Sequence, residues 1–133
     1  MEVYIPFQTD GLVLVAEDNG ALVGFAACQA CQDALHLWEL AVRHERQGQG
    51  VGRALLHASA AVARRRRLSA ITLSTFRHIV WNAPFYRRMG FVELRPHELN
   101  LRLRTIFERE ADLGLDVANR CVMRLPLQRS GGA

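Results

Sequence analysis

The chain reads as one small α/β domain, and three features predict it. Residues 37–56 run from an apolar strand, through a turn with glycines at alternate positions, into a helix. Two apolar β-rich runs, 12–16 and 22–28, flank the turn signal Asp18-Asn19-Gly20 and read as a hairpin. A second strand-then-helix unit follows at 71–90, where Ile71-Thr72-Leu73-Ser74 precedes a short segment with an asparagine, a proline and a closing glycine. Helix and strand periods thus alternate along one chain, with neither an internal repeat nor a linker. A length of 133 residues suffices for one real core but not for two, so residues 1–133 are taken as a single domain.

Taken in order, the elements are as follows. Residues 12–16 and 22–28 form the hairpin, 29–33 a connection, and 36–42 the next strand. The helix runs from about Gly50 to Arg66, with Val51, Leu55, Ala58 and Val62 at helical spacing toward the sheet. A strand at 70–74 and a loop at 75–81 follow. Asn82 suits an N-cap, Pro84 falls in the first turn where a missing N–H is harmless, and Gly90 suits the left-handed position after a helix. Phe85 and Met89 mark that helix's core face. Phe91-Val92-Glu93-Leu94 begins a strand, 97–113 reads as a helix with Leu99, Leu103, Ile106, Phe107 and Leu113 on its apolar side, and 120–125 is the last strand. Residues 128–133 are expected to fray.

Composition narrows the function. Half the residues are apolar and 23% are charged, the composition of a folding chain. No apolar run approaches the roughly 20 residues that span a bilayer, and Met1-Glu2-Val3-Tyr4 lacks a signal peptide's basic-then-apolar pattern. A cytoplasmic protein, without a membrane partner, is the expectation. Three cysteines are an odd number and argue against a secreted disulfide framework. Cys28-x-x-Cys31 follows a strand rather than opening a helix, and no second such pair completes a zinc site, so these read as reduced structural thiols and no metal is expected. The formal charge of +4 owes much to Arg64-Arg65-Arg66-Arg67, at the end of the helix, where cations complement the dipole and face solvent. With no interleaved aromatics and no nucleic-acid module, nucleic acid is not the expected partner.

The chemistry sits in the glycine turn. Gly48, Gly50 and Gly52 let the backbone curl so that several N–H groups converge at a helix start, a place that favours an anion such as pyrophosphate. A Walker A loop would end Gly-Lys-Ser/Thr, whereas this one continues Gly52-Arg53-Ala54. A dinucleotide fingerprint would space its glycines differently and place a carboxylate near Ala70, where there is none. What remains resembles the GNAT superfamily of N-acetyltransferases, whose signature is Gln/Arg-x-x-Gly-x-Gly/Ala: Gln47, Gly50 and Gly52 match it, and Leu40-Ala41-Val42 occupy the preceding strand. A second motif, Asn82-Ala83-Pro84-Phe85-Tyr86-Arg87-Arg88-Met89-Gly90-Phe91, is similar to the family's Asn-x-x-x-Phe-Tyr-x-x-x-Gly-Phe and follows in the family's order. The resemblance covers residues 12–91 well and the rest more loosely.

The resemblance implies a GNAT-type central mixed sheet, mostly antiparallel with two splayed parallel strands, flanked by helices. It also implies a shortened start, since only residues 1–11 precede the hairpin where the family has helices that wall the acceptor pocket; a borrowed wall would favour a homodimer. Acetyl-CoA would lie between the strand ending at Val42 and that of 71–74. Its pantetheine arm would pair with the backbone of Leu40, Ala41 and Val42. Its pyrophosphate would be held by backbone N–H groups of Gln47, Gly48, Gln49, Gly50, Val51, Gly52 and Arg53, without a metal. Asn82 would contact the cofactor, and Arg53, Arg87 and Arg88 are candidates for the CoA phosphates. Tyr86 stands where the family has its thiolate partner, and a phenol of pKa about 10 can donate to a departing thiolate.

Glu39 is the candidate base. A carboxylate inside Leu37-Trp38-Glu39-Leu40-Ala41-Val42 is costly unless solvated or paired. Strand alternation puts it with Leu37 and Ala41, opposite Trp38, Leu40 and Val42. A general base and a solvent-facing carboxylate both fit, and His78 or His36 are alternatives. The implied activity is acetyl transfer from acetyl-CoA to a primary amine through a direct ternary complex; a non-catalytic acyl-CoA-binding module is the alternative. The acceptor is open, with its contacts expected around Arg77, His78 and residues 98–113.

Overall fold

Seven strands form a mixed sheet, mostly antiparallel with one parallel pair, flanked by helices. The computed structural model describes residues 1–8, 11–80 and 82–128. The expected fraying of residues 128–133 therefore falls almost wholly outside the described residues, as does Trp81. The strand order is β1-β2-β3-β4-β5-β7-β6. The chain divides into two compact units, residues 1–71 with those from 126 onward, and residues 72–125.

The first unit holds β1 (Glu2–Gln8), β2 (Leu12–Asp18), β3 (Ala21–Cys31), β4 (Ala34–Val42) and the helix α1 (Val51–Arg65), and β5 (Ala70–Phe76) begins in it. The β2–β3 hairpin is the expected one. Asn19 and Gly20 have φ of 51° and 81°, the left-handed pair of a type I′ turn, whose twist matches the strands it joins. One strand is added to the expected elements and one expectation is corrected. Residues 2–8 are a strand, antiparallel to β2, and its pairing is irregular between Tyr4 and Phe7, where Pro6 cannot donate to a ladder. The connection at 29–33 shrinks to a turn at Gln32-Asp33, because Gln29, Ala30 and Cys31 pair with His36, Leu35 and Ala34 and carry β3 onward.

Helix α1 covers one face of β1–β4. Leu12, Leu14 and Ala16 of β2 and Ala26 and Cys28 of β3 alternate into the same buried layer as Val51, Leu55, Leu56 and Val62. Ala58 is only half-buried, and Ser59 and Ala63 occupy the buried stripe beside it. Close approach here needs Gly24: a Cβ would lie 2.7 Å from the Ala41 carbonyl and 3.0 Å from a Val51 methyl. Cys28 is free, and burial pushes its thiol up to about 11.

The second unit holds the rest of β5, then α2 (Ala83–Arg88), β6 (Val92–Glu93), α3 (Leu101–Asp112) and most of β7 (Arg120–Pro126). Strand β5 runs two residues beyond expectation, absorbing Thr75 and Phe76 from the loop. The helix expected at 97–113 is split into a 3-10 turn (Pro96–Glu98) and α3, whose N-cap is Asn100, its side chain accepting from Leu103 N–H at 2.9 Å. Leu103 is buried and Ile106 and Phe107 are half-buried, but Leu113 lies past the helix and is 80% exposed. A half-buried pair, Arg120–Glu110 at 2.8 Å, fixes α3 to β7, with Ser74 donating to Glu110 at 2.7 Å.

Candidate active site

The glycine turn is assembled within the first unit. Strand β4 closes where Arg43 N–H bonds the Val23 carbonyl at 2.8 Å, and a 3-10 turn (His44–Arg46) follows. Arg46 is anchored by Asp18 at 2.7 Å, and the N-terminal ammonium lies 3.6 Å from the same carboxylate. The Arg46 hydrogen bond comes first among the causes that hold Asp18 below the usual carboxylate range. The glutamines stitch the turn: Gln47 Nε2 donates to the Val42 carbonyl (3.3 Å), Gln49 Nε2 to that of Glu45 (3.2 Å).

Gly48 and Gly50 have φ of 77° and 86° and nothing within 4 Å of an added Cβ, so the backbone conformation, not crowding, calls for glycine. Gly52 lies inside α1 with ordinary helical geometry. The Gln47 N–H, expected to face an anion, is instead spent on the His44 carbonyl at 3.3 Å. From Gly48 to Arg53 the N–H groups have no backbone partner among the described residues, and Ala54 N–H is the first to be bonded, to Gly50. No acidic residue stands in the first turn of α1 to compete for them.

Leu40, Ala41 and Val42 lead into this turn, paired with Ala26, Phe25 and Gly24 of β3. Glu39 is exposed and shares a face with Ala41, opposite Leu40 and Val42, as expected, but Leu37 does not share that face. The β3–β4 register shifts between Ala27↔Glu39 and Cys28↔Leu37, so Trp38 is an extra residue in β4. This bulge breaks the alternation: Leu37 stays with Leu40 and Val42 on the α1 side, and Glu39 falls with Ala41 on the opposite face. His36 is buried, edge-on to Trp38 at 4.4 Å, while His78 is exposed.

Tyr86, Asn82 and Arg88 belong to the second unit. Tyr86 is buried on α2 between Phe85 and Phe91, each at 5.3 Å between ring centroids in edge geometry. Asn82 stands at the N-cap position, yet its side chain does not cap; its Oδ1 accepts from the Thr75 hydroxyl at 3.0 Å and ties α2 to β5. Arg87 is drawn to Glu93 at 3.3 Å, while Arg53 and Arg88 are exposed and in no ion pair among the described residues. Sequence reasoning missed Asp18 and Arg46, because a tether between positions 28 apart has no local signature.

The family model of the acetyltransferase (GNAT) domain matches residues 9–93, well over half of the chain. The chain belongs to the GNAT acetyltransferase family. The matched stretch of this GNAT domain holds the glycine turn, Glu39 and Tyr86. Solved structures share its fold. The ribosomal-protein-S18-alanine N-acetyltransferase of Escherichia coli is 23% identical, with 94% of this chain and 74% of that one covered and a TM-score of 0.69. The PaiA N-acetyltransferase of Thermoplasma acidophilum, in complex with coenzyme A, is 18% identical over 88% of this chain and 61% of that one, with a TM-score of 0.65. The N-acetylglutamate synthase of Neisseria gonorrhoeae, complexed with coenzyme A and N-acetyl-glutamate, is 22% identical over 90% of this chain and 26% of that one, with a TM-score of 0.72. At these identities the likeness establishes the GNAT fold itself. Among the described residues no helix is long and apolar enough to cross a membrane, and no group of three or more His, Cys, Asp or Glu could hold a metal ion.

Proposed function

We propose that this acetyltransferase binds acetyl-CoA through the glycine turn and passes the acetyl group to a primary amine in a direct ternary complex, residues 1–133 acting as one catalytic domain. The observation that carries the reading is the run of N–H groups from Gly48 to Arg53, at the start of α1, with no backbone partner among the described residues. Oriented amides and a helix N-terminus together make a strong pyrophosphate cradle with no metal required. Arg53 and Arg88, exposed and without a carboxylate partner among the described residues, suit the remaining CoA phosphates. The pantetheine arm pairs with the backbone of Leu40–Val42 in the gap between splayed parallel strands, and Asn82 contacts the cofactor.

In the reaction the neutral amine attacks the thioester carbonyl, and Glu39 takes its proton directly or through water. The C–S bond then breaks, and the CoA thiolate receives the Tyr86 hydroxyl proton. Glu39 is exposed beyond the bulge, where water can reach it and relay the proton. A cytoplasmic location and a homodimer accompany this reading, both drawn from the sequence. Replacing Tyr86 by Phe tests it: kcat should fall about a hundredfold or more, with acetyl-CoA affinity unchanged. An unaltered kcat would remove Tyr86 from the reaction, and a parent protein that binds acetyl-CoA but releases no thiol with any amine would replace the enzyme by a binding module.

A further inference from the structure

The second unit carries a solvent-open pocket of about 600 Å³, the size of a small-molecule site, between α3, the end of β6 and the start of β7. Leu99, Phe107 and Val122 give it an apolar floor. Four arginines and two glutamates also line it. Two of those arginines are already neutralised, Arg77 by Glu93 at 2.6 Å and Arg120 by Glu110 at 2.8 Å. Three charges remain: Arg95, Arg104 and Glu108 form no ion pair among the described residues, and Arg104 reaches only the Leu99 carbonyl, at 3.5 Å. Arg104 and Glu108 stand one turn apart on α3, on one side of the helix. Arg95 is presented by the 3-10 turn that follows it, which is locked where its N–H donates to Glu98 at 2.8 Å.

Two uncommitted guanidiniums, one uncommitted carboxylate and an apolar floor are the complement of a zwitterion with a hydrophobic side chain. We propose that this cavity binds a free α-amino acid with an apolar side chain. Its carboxylate meets Arg95 and Arg104, its ammonium meets Glu108, and its side chain covers Leu99, Phe107 and Val122. Guanidinium suits the task because its planar fork matches a carboxylate. The site uses no residue given a catalytic or cofactor-binding role, and its equilibrium binding is read independently of acetyl transfer, although Leu99, Arg104, Phe107 and Glu108 fall in the segment 98–113 where acceptor contacts are expected.

Titration of the whole protein with L-phenylalanine, followed by NMR chemical shifts, tests it against three truncated probes. Phenethylamine lacks the carboxylate, 3-phenylpropionate lacks the ammonium, and glycine lacks the side chain. L-Phenylalanine should shift resonances of α3 and β7 with saturation, and each probe should bind about tenfold more weakly or worse. Arg104→Gln and Glu108→Gln should each weaken L-phenylalanine by a similar factor, with unchanged thermal unfolding showing that the fold is intact. The proposal is overturned if 3-phenylpropionate binds as well as the amino acid, if either variant binds like the parent, or if neither L-phenylalanine nor L-leucine binds.

Discussion

Arg67 occupies a position where the chain elsewhere uses glycine. All three helices end in the same hydrogen-bond pattern: Leu68 N–H to Ala63 and Arg67 N–H to Arg64 after α1, Phe91 to Tyr86 and Gly90 to Arg87 after α2, Leu115 to Glu110 and Gly114 to Ala111 after α3. This Schellman closure places one residue in the left-handed region. Gly90 and Gly114 take it at φ of 101° and 84°, but after α1 it falls to Arg67 at 60°. A side chain there costs about 1–2 kcal/mol, of which glycine's extra freedom in the unfolded chain returns part. Arg67→Gly should therefore stabilise the protein by about 0.5–1 kcal/mol, read as a raised denaturant midpoint at constant m; a lowered midpoint would mean the Arg67 side chain makes up the strain. The same physics runs in reverse at Gly50. Its φ of 86° with open space around it means that alanine brings strain rather than a clash.

At the scale of elements, the glycine turn is held from outside by β2. Asp18 ends that strand and grips Arg46 just before the turn. Because its folded pKa is depressed, its contribution is complete above the usual carboxylate value and is lost as pH falls through the folded one. Asp18→Asn should thus lower Tm at pH 7 and flatten the acid limb of the Tm–pH curve; parallel curves for parent and variant would show the pair to be inert. Elements with chemical punctuation were legible in the sequence: Asn19-Gly20 for the hairpin, Gly50 for the start of α1, Pro84 and Gly90 for α2. Those set by pairing at a distance were not. Strand β1 has no such punctuation, and Pro6 is tolerated inside it because the strand lies at the sheet edge. The bulge at Trp38 depends on registry with Ala27 and Cys28, so Leu37 was assigned to the wrong face. Asn82 scored as an N-cap by residue type, but its partner turned out to be Thr75, on another element.

For the whole molecule, the cofactor signature was legible because it is local: a strand, a turn that needs left-handed glycines, and a helix start in sequence order. The acceptor was not, since the side chains that choose it lie on segments with no shared motif. All 17 Lys/Arg residues are arginine, so the enzyme's own surface offers no lysine amine to acetyl-CoA. If acetyl-CoA binds only the folded chain, a hundredfold excess over Kd should add about 2.7 kcal/mol to its stability, seen as a rise in Tm that dephospho-CoA reproduces in part and free adenine does not. The most direct test of the account is calorimetric titration with acetyl-CoA, and separately with CoA, of the parent and of Gly50→Val. The account predicts micromolar binding of both by the parent and none by a folded Gly50→Val. A folded parent that binds neither, or a variant that binds like the parent, would show that the N–H groups from Gly48 to Arg53 do not hold the cofactor.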